Sequence, residues 1–241
     1  MEIVYCCVVI VLSYGLRGST GFGGALAMPL LGLVVPLKIL VPVWTLLGIA
    51  SSATIVGRDW NLIVWRAMLQ MAPACLVGVA IGLFAFKMLD ARTLARGLGL
   101  LVIGYGAHAL WTTLRPPGTA QLPARIVAPV ANMLAGAVGT TFGTMASLFF
   151  AIYLDVLKLA KEHFRGTMSA MILALSVVRG AGYYAVGEFN AEVWIAFAAA
   201  FPLMLAGILI GDRFHTGMSE TTFKRLVAAI LIVSGMALLA K

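Results

Sequence analysis

The sequence predicts an all-α polytopic membrane protein with about eight transmembrane helices in two homologous halves of four helices each. Three observations predict this fold: a shortage of charged residues, apolar stretches long enough to cross a bilayer, and a pattern that recurs along the chain. Of the 241 residues, 62% are hydrophobic and only 11% are charged, and the mean hydropathy is +1.03. Because a soluble domain usually carries about 25% charged residues, no segment is expected to form a water-soluble domain.

The apolar stretches are divided by short polar links, and most approach the roughly 20 residues that a transmembrane helix needs. The predicted spans cover approximately residues 3–36, 39–57, 62–86, 98–114, 126–154, 166–187, 193–211 and 222–240. At 1.5 Å per residue, the first and the fifth are too long for one straight crossing. Each is interrupted by small residues, at positions 17–24 and 139–144. The sequence therefore predicts that the first helix of each half is broken at a Gly/Thr-rich motif.

Matched positions in the two halves indicate an internal duplication. An offset of 129 residues pairs Trp65 with Trp194, Pro73 with Pro202, Gly78 with Gly207, Gly82 with Gly211 and Gly106 with Gly235. An offset of 120 pairs Thr20, Phe22 and Gly23 of the first motif with Thr140, Phe142 and Gly143 of the second. Hydrophobic bias alone does not readily place Trp, Pro and Gly in register. The predicted organisation is a first transmembrane repeat over residues 1–115, a linker over 116–124 and a second repeat over 125–241.

The basic residues predict the orientation in the membrane. The net charge is +8, from 17 Lys and Arg against nine Asp and Glu. Eight spans place ten basic residues on one side: Lys38, Lys87, Arg92, Arg96, Lys158, Lys161, Arg165, Arg213, Lys224 and Arg225. The other side receives five: Arg58, Arg66, Arg115, Arg125 and Lys241. Since the more basic side is usually cytoplasmic, both termini are expected outside. An even number of spans per half makes the repeats parallel, whereas one miscounted span per half would make them inverted.

Two strong charges, Arg17 and Arg179, fall inside predicted spans. Inserting an unpaired guanidinium into a bilayer costs about 3 kcal/mol or more. One interpretation is that both arginines line an aqueous cavity and pair with an anionic substrate. The other is that they reach an interface or donate hydrogen bonds to backbone carbonyls exposed at a helix break.

The two interrupted motifs are the predicted substrate site. Unwound backbone at membrane depth is tolerated where it is buried in protein or faces water, and the helix N-terminus that follows favours an anion. Tyr183 is assigned either to a cavity lining or to an aromatic belt, and the small residues alternatively serve helix packing. The predicted substrate-binding residues are Arg17, Ser19, Thr20, Gly21, Phe22, Gly23, Gly24, Thr140, Thr141, Phe142, Gly143, Thr144, Arg179 and Tyr183.

Other functional classes are disfavoured by the sequence. The histidines His108, His163 and His215 are scattered, and no nucleophile motif or His/Cys cluster occurs, so we predict no enzyme activity, no metal site and no cofactor. The scarcity of carboxylates deep in the spans also disfavours a cation or metal permease. The expected partners are a small anionic substrate and the lipid bilayer, with a homodimer as one compatible assembly and no nucleic acid. A non-transporting membrane scaffold, whose glycines serve packing, is the alternative function.

The residues GSTGFGGA at positions 18–25, followed by PLL at 29–31, are similar to those of the sulfite exporter TauE/SafE family. The second motif at 136–144 and RGTMSA at 165–170 resemble the same family, and the likeness covers nearly the whole chain. It implies a bacterial inner-membrane permease for sulfite, organosulfonates or related carboxylates, with half of the substrate site in each motif. Thr141 and Thr144 stand where the family tends to have glycine, which suggests that hydroxyl donors replace backbone donors. The expected mechanism is alternating access, with the two halves rocking about a central site.

Overall fold

The computed structural model describes residues 2–20, 24–114, 124–211 and 220–241, and these residues are entirely helical or in short links. They form ten α-helices and one short 3₁₀ helix, with no strand among them. The predicted all-α class is therefore confirmed. The helices are α1 (Glu2–Thr20), α2 (Gly24–Leu31), α3 (Leu37–Arg58), α4 (Trp65–Met88), α5 (Ala91–Leu114), α6 (Ala124–Phe142), α7 (Ala146–Val156), α8 (Lys161–Ala185), α9 (Ala191–Gly211) and α10 (Glu220–Leu239), and the 3₁₀ helix is Trp60–Leu62.

Five of the described helices are long and apolar enough to cross a membrane, namely α3, α4, α5, α8 and α9. The described parts of α1, α6, α7 and α10 contain shorter apolar stretches of 10–17 residues. The chain is thus a polytopic membrane protein by composition and helix length. The count of eight spans stays a prediction.

Side-chain caps mark where two of the long helices begin. The Asp90 carboxylate accepts the Thr93 N–H at 3.3 Å ahead of α5, and the Asn190 side-chain oxygen accepts the Val193 N–H at 3.0 Å ahead of α9. Asp and Asn suit this position because the first N–H groups of a helix have no partner within the helix. Hydrogen bonds from the Thr93 side chain and backbone also hold the pKa of Asp90 below its ordinary value.

The described helices group into two compact units. The first unit comprises Met1–Leu40, Leu89–Ala120 and Ala199–Lys241, and the second comprises Val41–Met88 and Gln121–Ala198. Each unit therefore contains helices from both predicted repeats. The unit boundaries reflect packing and do not test the sequence duplication, which stays a prediction.

In the first unit, α2 folds back along α1. The Tyr5 hydroxyl donates to the Leu30 carbonyl at 3.1 Å, although 25 residues of continuous helix would separate them by about 37 Å. The two helices therefore run antiparallel.

The end of α10 fixes the directions of its neighbours in the first unit. Lys241 Nζ donates to the carbonyls of Gly32 and Leu33, just after α2, and Arg92 Nε donates to the Lys241 carbonyl from the start of α5. Three helix ends thus lie at the same height along the helix axes: the end of α10, the end of α2 and the start of α5. It follows that α5 and α10 run antiparallel.

In the second unit, α7 folds back along α6. A Cβ built at Gly78 on α4 would lie 2.0 Å from the Met133 carbonyl oxygen on α6, and one at Gly82 would lie 2.6 Å from that of Ala137. The contacting residues rise in number along α4 and α6 in the same direction, so the two helices run parallel. The Tyr153 hydroxyl on α7 donates to the carbonyl of Ala67, near the start of α4, at 3.1 Å. The end of α7 therefore lies level with the start of α6.

Helices α3 and α8 also pack together in the second unit, and they run antiparallel. The Cβ position of Gly48 on α3 is 3.2 Å from Ser176 Oγ, whereas Gly180, further along α8, lies beside Thr45, earlier on α3. Residue numbers therefore rise along α3 in the direction in which they fall along α8.

The two GxxxG motifs formed by the paired glycines are packing seams. Gly78 and Gly82 bring α4 against α6, while Gly207 and Gly211 bring α9 against α1. A Cβ at Gly211 would lie 2.2 Å from the Gly15 carbonyl oxygen. Absence of Cβ atoms allows this close backbone approach. Positions paired by the offset of 129 thus have the same packing role in the two units.

We predict that Gly78→Ala destabilises the protein, because its methyl group would overlap backbone atoms of α6 that cannot move independently. Overpacking of this kind costs about 1–3 kcal/mol, and the thermal midpoint in detergent should fall accordingly. Gly104→Ala on α5 is the matched control, since a Cβ there meets nothing within 4 Å. Equal midpoints for the two variants would contradict the packing seam.

Candidate functional site

The second Gly/Thr-rich motif forms a tight turn between α6 and α7. Gly143 and Met145 both have left-handed backbone conformations, with φ of +72° and +65°. Glycine adopts this conformation without strain, but methionine does so at a cost of order 1–3 kcal/mol. A Cβ at Gly139 would lie 2.8 Å from that of Ala146. The turn therefore depends on glycine at two positions and on surrounding contacts that hold Met145.

Arg179 on α8 stabilises the end of α6. The residue is only 5% exposed, and its Nη1 donates to the Gly139 carbonyl at 2.5 Å. That carbonyl lies in the last turn of α6 and also accepts the Gly143 N–H at 3.0 Å. The last carbonyls of a helix carry the negative end of its dipole, so a cation there is favourable. Arg179 thus makes the hydrogen bond to a carbonyl at a helix end that one of the two interpretations described, and its role toward a substrate stays a prediction.

Tyr183 reinforces the same helix end. Its fully buried hydroxyl donates to the Thr140 carbonyl, and its ring centroid lies 5.1 Å from that of Phe86. Tyr183 thus lines the protein interior, whereas Tyr184 is 74% exposed. The assignment of Tyr183 to a cavity lining stays a prediction.

The C-terminus of α8 sets the position of Tyr183. Gly187 has φ of +79°, its N–H donates to the Tyr184 carbonyl at 3.1 Å, and the Glu188 N–H donates to the Tyr183 carbonyl at 2.9 Å. This pair of bonds is a Schellman motif, which ends a helix at a left-handed glycine. The local sequence therefore stops α8 just after the residues that contact α6.

The hydroxyl groups near this turn differ in their partners. Thr141 donates to the Gly82 carbonyl at 3.4 Å, which joins α6 to α4. Thr144 is buried in the turn. The buried hydroxyl oxygens of Thr140 and Ser176 have no hydrogen-bond partner within the described part of the chain. Buried polar atoms are normally partnered, so these two hydroxyls are candidates for binding a ligand.

Sequence reasoning missed Ser176 and Gly48. Ser176 precedes Arg179 by three residues on α8, so both side chains lie on one helix face. A Cβ at Gly48 on α3 would lie 3.2 Å from Ser176 Oγ and 3.7 Å from Arg179 Nη2. The spacing of Ser176 and Arg179 was visible in the sequence, but the approach of α3 was not.

The predicted site residues of the first half lie in the other unit. The backbones of Arg17, Ser19 and Thr20 form the last turn of α1, and Gly24 is the first residue of α2. The side chains of Arg17, Ser19 and Thr20 lie outside the described structure, as do residues 21–23. The structure thus brings together the predicted residues of the second half: Thr140, Thr141, Phe142, Gly143, Thr144, Arg179 and Tyr183.

A metal centre is not formed by the described residues, which contain no group of three or more His, Cys, Asp or Glu side chains able to hold an ion. The chemistry that the turn offers is hydrogen-bond donation and positive charge.

Comparisons with known proteins point to one family. The profile of the "Sulfite exporter TauE/SafE" family matches residues 6–238. The chain is 28% identical over 228 residues to a "Probable sulfite/organosulfonate exporter TauE" of Cupriavidus necator, covering 91% of this chain and 87% of the relative. It is 26% identical over 198 residues to a "Probable inner membrane transporter protein TsaS" of Comamonas testosteroni, covering 80% of each. No solved structure matches the chain significantly.

We predict that Tyr183→Phe destabilises the protein while Tyr184→Phe does not. The first substitution leaves the buried Thr140 carbonyl without its hydroxyl donor, a loss of about 1–3 kcal/mol, whereas the second changes an exposed side chain. Thermal unfolding of both variants in the same detergent provides the comparison. A midpoint unchanged in Tyr183→Phe would show that this hydrogen bond does not support the end of α6.

Proposed function

The chain belongs to the sulfite exporter TauE/SafE family, so it is an integral membrane transporter and not an enzyme, and we propose that it moves a small oxyanion. The proposed substrates are sulfite or an organosulfonate, with related carboxylates as further candidates, and the proposed location is the bacterial inner membrane. One relative is named a probable sulfite/organosulfonate exporter, and the other a probable inner membrane transporter protein. The observation that carries the proposal is the buried Arg179 guanidinium at the turn between α6 and α7.

The electrostatics of this turn favour an anion. Arg179 offsets the negative end of α6, while α7 begins at Ala146 with its positive end toward the turn, and Met145 provides no side-chain cap. Uncapped N–H groups at a helix start are suited to an oxyanion. A charge placed inside a membrane protein is costly and usually marks a functional site. We therefore assign Arg179 and the start of α7 to substrate binding.

The helix directions favour inverted rather than parallel repeats. By order along the chain, α3 corresponds to α8 and α5 to α10, and both pairs run antiparallel. The helices α2 and α7 have eight and 11 residues, so they extend only about 12 and 16 Å and cannot cross a bilayer core of roughly 30 Å. We propose that each repeat has one re-entrant hairpin, α1–α2 or α6–α7, and three crossing helices.

This layout keeps a strong charge asymmetry between the two sides. The side opposite the termini receives ten basic residues: Arg58, Arg66, Arg115, Arg125, Lys158, Lys161, Arg165, Arg213, Lys224 and Arg225. The side of the termini receives five: Lys38, Lys87, Arg92, Arg96 and Lys241. The positive-inside rule then places both termini outside, as the eight-span count also predicted.

Inverted repeats supply a physical basis for alternating access. Two copies of one structure with opposite orientations can exchange conformations, which opens a binding site first to one side and then to the other. The proposed mechanism is therefore alternating access, with the oxyanion held by Arg179 during the exchange.

We predict that sulfite or an organosulfonate stabilises the purified protein and that Arg179→Ala abolishes this effect. A ligand that binds only the folded state raises the melting temperature. Sulfite, taurine, sulfoacetate and acetate would be compared with choline as a cation. Arg179→Lys retains the charge but loses the planar guanidinium, so we expect weakened rather than abolished stabilisation.

Arg66→Ala, which changes an exposed arginine at the start of α4, is the matched control. An anion shift that persists in Arg179→Ala, or a larger shift with choline, would contradict the proposed site.

We predict that residues 88 and 163 lie on opposite sides of the membrane. In a background without Cys6, Cys7 and Cys75, Met88→Cys should react with an impermeant maleimide added to intact cells. His163→Cys should react only after the cells are opened. In parallel repeats, both positions would be cytoplasmic and protected. Lys241→Cys is the control, because both layouts place it outside.

A further inference from the structure

We propose that Ser176 distinguishes a three-oxygen sulfur head group from a carboxylate, and that the absence of a side chain at Gly48 leaves Ser176 and Arg179 undisturbed. This inference rests on the proposed function and adds two residues that neither the family resemblance nor the motifs indicated. Ser176 lies on α8 and Gly48 faces it from α3, within the second unit.

The Ser176 hydroxyl differs from its neighbours in having no local partner. Ser176 is 1% exposed, and its Oγ has no hydrogen-bond partner among the described residues. Nearby hydroxyls bond within their own helices: Thr45 donates to the Val41 carbonyl at 2.9 Å, and Ser51 donates to the Gly48 carbonyl at 3.3 Å. A buried hydroxyl without a partner costs free energy. Binding of a ligand oxygen would supply that partner.

The Ser176 hydroxyl and the Arg179 guanidinium both lie close to Gly48. The Cβ position of Gly48 is 3.2 Å from Ser176 Oγ and 3.7 Å from Arg179 Nη2. A glycine inside a helix is less favourable than alanine by about 1 kcal/mol, and its presence in α3 allows Ser176 and Arg179 of α8 to approach closely. A methyl group at position 48 would press against Ser176 Oγ and contact Arg179 Nη2, so it would disturb both donors.

The number of ligand oxygens explains why two kinds of donor are useful. A planar guanidinium matches two oxygens of an anion. A carboxylate has only two oxygens, whereas sulfite and sulfonates present three in a pyramidal arrangement. The third oxygen lies outside the guanidinium plane and needs a separate donor. Ser176 supplies that donor, so its hydroxyl favours sulfur oxyanions over carboxylates.

The test compares Ser176→Ala with the unmodified protein, using sulfite, methanesulfonate and acetate as ligands in thermal titrations. Methanesulfonate and acetate share a methyl group and differ in the head group. We expect about tenfold weaker binding of sulfite and methanesulfonate, the effect of one hydrogen bond to a charged group, and acetate binding within twofold. The ligand-free melting temperature should be unchanged or higher, since alanine leaves no unpartnered hydroxyl. Ser176→Thr retains the hydroxyl and should therefore retain methanesulfonate binding. This comparison does not require acetate to bind the protein.

Matched variants separate this role from general packing. Gly48→Ala should weaken binding of both sulfur ligands, whereas Gly180→Ala should not, because its Cβ would make only ordinary contacts of 3.4 and 3.5 Å with Ile49 and Thr45. Ser51→Ala controls for loss of a buried hydroxyl beside Gly48.

The outcomes distinguish this inference from the proposed function. If no anion stabilises the unmodified protein, or if Arg179→Ala retains the effect, the proposed anion site itself fails. If Arg179 is required but Ser176→Ala binds methanesulfonate normally, or loses acetate equally, only the role of Ser176 is overturned.

Discussion

Satisfaction of backbone polar groups inside the membrane is the constraint on which this structure depends. An interrupted helix exposes carbonyls that water would normally bond, and a membrane interior offers no substitute except protein. At the end of α6 the substitutes are two side chains of one helix, Arg179 and Tyr183, which donate to successive carbonyls. Both donors come from α8, whose own end is fixed by the glycine at position 187. The turn therefore depends on a neighbouring helix as well as on its own glycines.

Close packing of glycine-bearing helices provides the surrounding frame. Helix α4 lies against α6 at Gly78 and Gly82, and α9 lies against α1 at Gly207 and Gly211. In each pair, a helix from one sequence half supports the first helix of the other half. Because the backbones nearly touch, the interfaces have little room for adjustment. Each hairpin is thus attached to the opposite half of the chain, which explains why the packing units cross the boundary of the predicted repeats.

Much of this arrangement could be predicted from the sequence, and the remainder depends on contacts between distant segments. Composition was sufficient for the all-α membrane class, and the turn at Gly143 lies within the second Gly/Thr-rich motif. The matched glycines were visible in the sequence, and the structure places them where close helix contact limits residue size. Hydropathy, however, indicates how long an apolar segment is but not the direction in which its helix runs. It therefore did not show that α2 and α7 fold back. Ser176 and Gly48 were missed for a related reason: only the packing of α3 on α8 brings them together.

The hydrogen bond from Arg179 to Gly139 has a consequence for interpreting other members of the family. An arginine that supports a helix end would be retained by selection for folding even in a relative whose cargo has changed. Its presence in an aligned sequence therefore reports the support of this helix end as well as the proposed contact with an anion. If Ser176 acts as we propose, position 176 is expected to change with the head group of the cargo, because its side chain makes no comparable bond to the backbone. Comparison of relatives at positions 176 and 179 would then separate the choice of cargo from the support of the fold.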